Sequence, residues 1–216
     1  MQVGSLEISQ FDSNEIQLRQ GGKEWHIDVT HLLRVNDCYG NFTGDGSEQI
    51  CTGPAKSPCP ACPRMVGVIA WDQHRQKLYF VIGSGGWQAR PWTVFNYNLV
   101  TRHVTRFSST FATNIGQGEV SSSGQYLAYV QVFHCSPGMQ GHCPSDAIEV
   151  MDLWNRRIAH PPYGLTPNDG VIRIQQLTWS SPSVVNYSGS VDPFNPEPQP
   201  DRPTKGSLDM RTLEFR

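Results

Sequence analysis

Residues 121–130 read SSSGQYLAYV and carry the clearest structural signal in the chain. Serine and glycine supply the conformations that tight turns require. The aromatic and apolar run Tyr126–Val130 that follows is typical of a strand, and Glu119–Val120 precedes the turn as the end of another strand. The segment 119–130 therefore predicts a β-hairpin.

The same hairpin pattern occurs four times: at residues 8–18, 70–81, 119–130 and 177–187. Each copy is followed by a further strand pattern, at 24–29, 92–99, 147–154 and 207–215, and fourth-strand candidates lie at 103–107 and 157–160. Self-similarity with a spacing of about 50 residues is the signature of propeller blades, each a four-stranded antiparallel sheet.

The third copy is similar to a known family of repeats. Residues 121–130 resemble the S-P-D-G-K-x-L-A-Y/F hairpin of TolB-type and related WD-like β-propellers, and residues 147–153, AIEVMDL, resemble their following I-Y-V-M-D-L strand. The match covers residues 118–157, with Ser123 in place of the family's Asp, and the fourth copy has Pro182 in place of Gly. The resemblance implies a propeller fold and no particular function, because propellers host many unrelated activities.

Composition supports an all-β chain. Charged residues make up 17% of it, against roughly 25% in an ordinary globular domain, and 20 Gly and 16 Pro leave little room for long helices. The net charge is -2 with no basic run, whereas a nucleic-acid groove needs clustered Lys and Arg. No stretch approaches the roughly 20 apolar residues of a membrane span. We therefore expect neither nucleic-acid binding nor a membrane span.

These patterns predict a single all-β, propeller-like domain over residues 1–216. The repeat units lie at roughly 5–35, 65–110, 115–162 and 170–216, with a Cys-rich loop insertion at 36–64 and a Pro-rich loop at 190–204. Four units is the lower limit of propeller closure. The sequence is therefore compatible with a closed ring and with an incomplete propeller. A β-sandwich with similar hairpins is the alternative fold.

Six cysteines lie in segments rich in Gly, Pro and Asp: Cys38, Cys51, Cys59, Cys62, Cys135 and Cys143. An even number in surface loops predicts disulfides and an oxidising compartment. We expect Cys135 to pair with Cys143 and the other four to pair within residues 38–62, with Cys38–Cys51 and Cys59–Cys62 the favoured pairs. Because disulfides form in oxidising compartments, we expect a periplasmic or secreted location, with a signal peptide already removed. Six free thiols in a cytosolic chain is the alternative.

The cysteines also allow a metal or redox interpretation. Cys59-Pro60-Ala61-Cys62 is a Cys-x-x-Cys pair, which occurs in redox sites and as half of zinc sites, but no second pair of that spacing is present. His134 and His142 next to Cys135 and Cys143 offer four ligands for a transition metal. A local disulfide explains those two cysteines without a metal. We therefore expect no metal and no cofactor.

Catalytic motifs are missing from the sequence. It contains no nucleophile elbow, no His-Glu-x-x-His and no phosphate loop, and its acidic residues are scattered singly. Asp72 and Asp152 fall at hairpin turns, where we expect them to cap the turn backbone by Asx-type hydrogen bonds. No catalytic residue is assigned.

Residues 83–92 form a Gly-rich connection that carries Trp87, Arg90 and Trp92. Trp and Arg dominate binding hot spots because they bury a large area and keep a polar group. The segment is therefore either a recognition loop or a packed plug of the propeller channel. Phe194 in the Pro-rich loop is a further candidate binding residue, with the alternative that it attaches the loop to the body of the protein.

The sequence thus favours a non-catalytic, exported protein-binding module whose loops at one end of the β units bind another protein. Within this class, the favoured hypothesis is an inhibitor or immunity protein that blocks a secreted or cell-wall-degrading enzyme. It rests on analogy between classes of protein. The alternatives are a scaffold subunit of an envelope complex and a hydrolase or lyase with its site at the channel mouth.

Overall fold

The computed structural model describes residues 2–3, 6–12, 14–38, 53–60, 62, 64–84, 90–132, 145–164, 170–193, 202–212 and 214–215. These residues form sixteen strands and one 3-10 turn, Val35–Asp37, without any α-helix. No helix in this part of the chain is long and apolar enough to cross a membrane. The prediction of an all-β fold is confirmed.

The strands form four antiparallel sheets of four strands each. Sheet 1 contains β1 (Gln2–Val3), β2 (Leu6–Phe11), β3 (Glu15–Gln20) and β4 (Lys23–Asp28). Sheet 2 contains β5 (Arg64–Asp72), β6 (Lys77–Ser84), β7 (Arg90–Asn98) and β8 (His103–Ala112). Sheet 3 contains β9 (Asn114–Val120), β10 (Tyr126–Val132), β11 (Ala147–Asp152) and β12 (Arg157–Gly164). Sheet 4 contains β13 (Gly170–Ser181), β14 (Val184–Pro193), β15 (Arg202–Asp209) and β16 (Glu214–Phe215).

Each sheet is a meander in which consecutive strands are neighbours, as in a propeller blade. The sheets coincide with the four repeat units of the sequence to within a few residues. The chain divides into two compact halves, Met1–Ala112 with sheets 1 and 2 and Thr113–Arg216 with sheets 3 and 4. The expectation of one domain over the whole chain stays a prediction.

In the N-terminal half, sheets 1 and 2 share one apolar core. Burial alternates along β3, where Ile16 and Leu18 are fully buried and the residues on either side of each are more exposed. This period of two places one face of the strand against sheet 2. Phe80 of sheet 2 lies in the same core and stacks on Phe95 with ring centroids 5.5 Å apart. The outer face of sheet 1 carries charged cross-strand pairs such as Arg19–Glu24 at 2.7 Å.

In the C-terminal half, sheets 3 and 4 pack in the same way. Their shared core contains Ala128, Val130, Ile148 and Val150 of sheet 3 and Leu177, Val185, Tyr187 and Leu208 of sheet 4. Trp179 stacks on Tyr126 and donates its indole N–H to the Glu119 carbonyl at 2.9 Å. A tryptophan on one sheet thus joins the backbone of the next by a hydrogen bond as well as by apolar contact.

The central strands of sheets 2 and 3 are buried on both faces. Consecutive residues are buried through most of β6 and β7, through Leu127–Val130 of β10, and throughout β11. Most polar groups in such strands are hydrogen-bonded. Glu149, which is 1% exposed, accepts hydrogen bonds from the Tyr129 hydroxyl and from the Gln131 amide at 2.9 Å.

The predicted turn-capping role of Asp72 and Asp152 is confirmed. Asp72 Oδ1 accepts the backbone N–H of Arg75 at 3.1 Å. Asp152 Oδ1 accepts the backbone N–H groups of Trp154 and Asn155, each at 3.0 Å. Both aspartates therefore fix hairpin turns by local hydrogen bonds.

Trp92 does not lie on the surface, where a binding anchor would have to be. Its side chain is 1% exposed and its indole N–H donates to the Ala112 carbonyl at 3.1 Å. Gly83 is its cross-strand neighbour, and a Cβ there would lie 2.7 Å from the Trp92 ring. Glycine is needed at this position to accommodate the ring. Burial of the ring therefore favours the packed alternative for Trp92 over a binding anchor.

Replacement of Trp92 by alanine should lower the free energy of unfolding by roughly 3–5 kcal/mol, because it empties a buried site of aromatic size. Trp154→Ala is the matched control, since Trp154 is 66% exposed in the β11–β12 turn. An exposed substitution of this kind changes stability by about 0.5 kcal/mol or less. Urea unfolding of both variants measures the difference. Equal losses in the two variants would contradict the packing described here.

Two carboxyl groups of sheet 3 should affect stability with opposite pH dependence. Burial raises the pKa of Glu119 above its usual 4.5, although a hydrogen bond from Trp179 lowers it. Burial also raises the pKa of Asp152, but hydrogen bonds from Asn155, Trp154 and Gln125 outweigh it, so the pKa lies below the usual 3.8. Glu119 is therefore unfavourable to folding once ionised, whereas ionised Asp152 is favourable.

Glu119→Gln should accordingly raise stability at neutral pH, with a gain that vanishes as the pH falls to the unfolded pKa. Asp152→Asn should lower stability at neutral pH, with a loss that shrinks as the pH falls through the folded pKa of Asp152. Urea unfolding between about pH 3 and pH 8 measures both slopes. Slopes of the same sign in the two variants would contradict this assignment.

Candidate functional site

Each sheet has two different ends. At one end, which we call the turn end, its first and second strands and its third and fourth strands are joined. In sheet 2 the pairs Asp72–Lys77 and Asn98–His103 mark this end. The opposite end, which we call the loop end, holds the connection between the second and third strands and the connections to neighbouring sheets. The pair Arg64–Ser84 marks it in sheet 2.

The turn ends are closed by short connections with local hydrogen bonds. In the β7–β8 turn, the Asn98 side chain accepts the backbone N–H groups of Val100 and Thr101. The β9–β10 turn contains Gly124 at φ 72°, a left-handed conformation that glycine adopts without strain. Such turns have little chain length from which to build a recognition surface.

The loop ends receive the long connections of the chain. They lie between β4 and β5, β6 and β7, β10 and β11, β12 and β13, and β14 and β15. All six cysteines fall in these connections, as do the candidate binding residues Trp87 and Phe194. Because of the strand order, the connections that carry the cysteines and the candidate binding residues leave their strands at the loop ends.

Arg64 joins three segments at the loop end of the N-terminal half. Its guanidinium donates to the carbonyls of Thr30 and Pro60 at 3.1 and 2.8 Å and to the Asn14 side chain at 3.0 Å. Asn14 belongs to the β2–β3 turn, and the other two residues lie in the connection between sheets 1 and 2. A planar guanidinium with five donors suits this role.

A buried ion pair holds the start of the Cys-rich loop against sheet 2. Both guanidinium N–H groups of Arg106 on β8 reach the Asp37 carboxylate at 2.6 Å. Asp37 Oδ2 also accepts the Arg34 backbone N–H at 2.8 Å, and the Asp37 carbonyl accepts the Ser84 hydroxyl. The side chains of Asp37 and Arg106 are 9% and 22% exposed. Bidentate, partly desolvated geometry of this kind fixes orientation as well as position.

A disulfide closes the same loop between Cys38 and Cys62, whose Cα atoms lie 5.6 Å apart. Cys59 is also disulfide-bonded. The favoured pairs Cys38–Cys51 and Cys59–Cys62 are therefore wrong. Backbone hydrogen bonds explain why: the Cys59 N–H donates to the Leu33 carbonyl and the Val35 N–H donates to the Ser57 carbonyl, each at 3.0 Å, so residues 57–59 lie beside residues 33–35. That fold brings Cys62 to Cys38 across 24 residues.

The sulfur atoms of Cys38, Cys59 and Cys62 lie within 4.8 Å of one another, and all three residues are buried. Such a group has the size of a metal site. A metal ligand must be a thiolate, however, and these sulfurs are in disulfides. The group is therefore a cluster of bridged sulfurs in this state of the protein.

At the loop end of the C-terminal half, Ser145 and Asp146 join the connection after β10 to the start of β13. The Ser145 hydroxyl accepts the Ile172 N–H at 3.0 Å, and the Asp146 N–H donates to the Ile172 carbonyl at 2.9 Å. The Asp146 carboxylate accepts the Ile174 N–H at 2.9 Å and pairs with Arg173 at 3.1 Å. This junction lies where three connections, 133–144, 165–169 and 194–201, leave their strands.

The candidate residues from the sequence are placed unevenly. Arg90 begins β7 and pairs with Ala112. Five of the candidates lie outside the described residues: Trp87, Phe194, Cys51, Cys135 and Cys143. The predicted Cys135–Cys143 bridge and the binding roles of Trp87, Arg90 and Phe194 stay predictions.

Sequence reasoning missed the side chains that hold the loop ends in place. Asp37 and Arg106 are 69 residues apart, so no local pattern joins them. Asp146, which directly precedes β11, and Arg173 of β13 are 27 residues apart. The one available signal was the position of Asp37 and Asp146 directly beside or after a Cys-bearing loop.

An open depression of about 500 Å³ lies at the turn end of sheet 1, lined by Glu7, Arg19, Gln20, Gly21, Gly22, Lys23 and Glu24. Arg19 and Glu24 already pair with each other at 2.7 Å, and both are exposed. A shallow, solvated site of this kind lacks the apolar walls of a small-molecule pocket.

Comparison with known proteins gives neither a family nor an activity. No family model matches the chain, and no curated protein matches its sequence. A variant of the Synechocystis apocarotenoid oxygenase is 9% identical, with a TM-score of 0.45, over 97% of this chain and 45% of that one. Kuenenia stuttgartiensis hydrazine synthase is 8% identical, with a TM-score of 0.42, over 91% of this chain and 60% of that one. The chain thus spans about half the length of these structures, and the fold assignment rests on the four sheets themselves.

Arg106→Met should lower the free energy of unfolding by roughly 3 kcal/mol, because it leaves the Asp37 carboxylate buried without its partner. Removal of both charges in Asp37→Asn/Arg106→Met should recover part of that loss. Arg19→Met is the control, since the Arg19–Glu24 pair is exposed and such pairs contribute little. Urea unfolding measures all three. A loss in Arg106→Met no larger than in Arg19→Met would show that the pair does not hold the loop.

Proposed function

We propose that the protein is a non-catalytic, protein-binding module of the periplasm or extracellular space, and that its loop ends bind and block a secreted or cell-wall-degrading enzyme. The observation that carries the proposal is the separation of the two ends of each sheet. The turn ends are minimal and locally capped, and the long connections leave from the loop ends. Loops positioned by a rigid scaffold are where binding specificity resides.

The base of each loop end is held by side chains of the body. Arg64 and the Asp37–Arg106 pair fix the Cys-rich loop in the N-terminal half, together with the Cys38–Cys62 bridge. Asp146 fixes the junction in the C-terminal half. Prior ordering of a binding loop raises affinity by reducing the entropy lost on association. Competitive enzyme inhibitors use loops of this kind, and the disulfide supports an oxidising compartment.

The acidic side chains that are buried in the described part of the chain have structural partners. Asp37 and Asp146 pair with arginines, and Glu149 accepts two hydrogen bonds inside sheet 3. Asp72 and Asp152 cap turns. These engagements favour binding over catalysis, because a general acid or base must reach the substrate.

The experiment uses the full protein as bait in an envelope or secretome extract, with Trp87→Ala and Trp154→Ala baits beside it. Both variants remove a tryptophan, one from the β6–β7 connection at a loop end and one from the β11–β12 turn at a turn end. Calorimetry with the purified partner should show a loss of about 2 kcal/mol, or roughly 30-fold, for Trp87→Ala and no change for Trp154→Ala. Titration of a partner enzyme with wild-type protein should abolish its activity at one equivalent.

Three results would overturn the proposal in different ways. Loss of binding in Trp154→Ala alone would place recognition at the turn end. A partner that keeps full activity in the stoichiometric complex would make the protein a scaffold subunit. Turnover of a glycan or peptide by the purified protein alone would make it an enzyme.

A further inference from the structure

The three clustered sulfurs are arranged for an exchange of disulfide partners. Cys38 and Cys62 are bonded to each other, and the Cys59 sulfur lies within 4.8 Å of both. Thiol–disulfide exchange begins when a thiolate attacks one sulfur of a neighbouring bridge. A third sulfur this close to an existing bridge needs only a small displacement to make that attack once it is free.

The backbone around Cys59 and Cys62 favours one product. Cys62 N–H bonds to the Cys59 carbonyl at 3.2 Å, so the two residues share one turn. Cys38 belongs to a different segment, at the end of the 3-10 turn Val35–Asp37. Cys59 and Cys62 therefore stay together when the two segments separate. Cys38 is also the most exposed of the three, at 7% against 1% for each of the others.

We propose that Cys38, Cys59 and Cys62 form a thiol–disulfide exchange centre that acts on thiol reductants and controls the covalent closure of the Cys-rich loop. A thiol reductant, either a small thiol or a dithiol oxidoreductase, first reduces the bridge of Cys59. This step releases Cys59 and its bridge partner as two thiols, and the reductant is itself oxidised to a disulfide. The Cys59 thiolate then attacks the Cys62 sulfur. The Cys59–Cys62 bond forms, the Cys38–Cys62 bond breaks, and Cys38 leaves as a thiolate that takes a proton from solvent.

The exchange step has a structural consequence. The Cys38–Cys62 bridge joins the segment that follows β4 to the segment that precedes β5, whereas a Cys59–Cys62 bridge lies within one turn. After exchange the two segments are joined by hydrogen bonds such as Val35 N–H to Ser57 O at 3.0 Å, without a covalent link. The proposal concerns the sulfur chemistry and does not rest on the proposed function.

Partial reduction under two conditions tests the exchange. Thiolates are needed for it, so glutathione at about pH 8 permits exchange and a phosphine reductant at about pH 3 suppresses it. Free thiols are trapped with N-ethylmaleimide and mapped by peptide mass spectrometry. At the higher pH we expect a Cys59–Cys62 disulfide with the label on Cys38 and on the former bridge partner of Cys59. At the lower pH we expect an intact Cys38–Cys62 disulfide with the label on Cys59 and on that partner.

Cys59→Ser is the control variant, because it keeps the Cys38–Cys62 bridge and lacks the attacking sulfur. The bridge partner of Cys59, which is left as a thiol in this variant, is blocked with N-ethylmaleimide before the reductant is added. With glutathione as the reductant, Cys38 should become accessible to N-ethylmaleimide at least about tenfold more slowly in this variant than in the wild type. Equal labelling rates, or an intact Cys38–Cys62 bridge with labelled Cys59 at the higher pH, would overturn the proposal. A Cys59–Cys62 bridge at the lower pH would show that this bridge is the original pairing. Stoichiometric zinc bound to unlabelled thiolates would show that the cluster is a metal site. Either result would also overturn the proposal.

Discussion

Face-to-face packing of the sheets is the constraint on which the rest of the structure depends. Sheets 1 and 2 share one core and sheets 3 and 4 share another, and the central strands β6, β7, β10 and β11 are buried on both faces. Strands with no free face cannot carry a surface site. Their polar groups are used internally, as the Tyr129, Gln131 and Glu149 side chains are. Any recognition surface has to be built from connections and from the outer faces of the sheets.

The meander topology then decides at which end of a sheet each connection lies. Two of the three links within each sheet lie at the turn end, where side chains such as Asp72, Asn98 and Asp152 cap the turns, and the third link and the links between sheets leave from the opposite end. Long loops are held at their bases by bonds that the sheets provide: Arg64 to three segments, Arg106 to Asp37, and Asp146 to the start of β13. The disulfide adds a covalent closure to the first of these. The nearby Cys59 sulfur allows this disulfide to exchange partners.

Much of the fold could be predicted from the sequence, because hairpins are local. The alternating pattern and turn residues gave the hairpins at residues 70–81 and 119–130, and the turn-capping role of Asp72 and Asp152 followed from their position. The disulfide pairing could not be predicted, since it depends on Cys59 N–H bonding to Leu33 O across the loop. Glycines near Trp92 suggested a flexible loop. In the structure, the missing side chain of Gly83 leaves room for the Trp92 ring on the neighbouring strand. Local sequence patterns do not show a contact between neighbouring strands.

The inner strands of sheets 2 and 3 are structural, because they are buried on both faces. Amide hydrogen exchange of the free protein under native conditions tests it most directly, because buried strands open only with global unfolding. We expect the slowest exchange in β6, β7, β10 and β11, and faster exchange in the β3–β4 hairpin, whose outer face is solvated. Exchange in those four strands as fast as in the β3–β4 hairpin would contradict it.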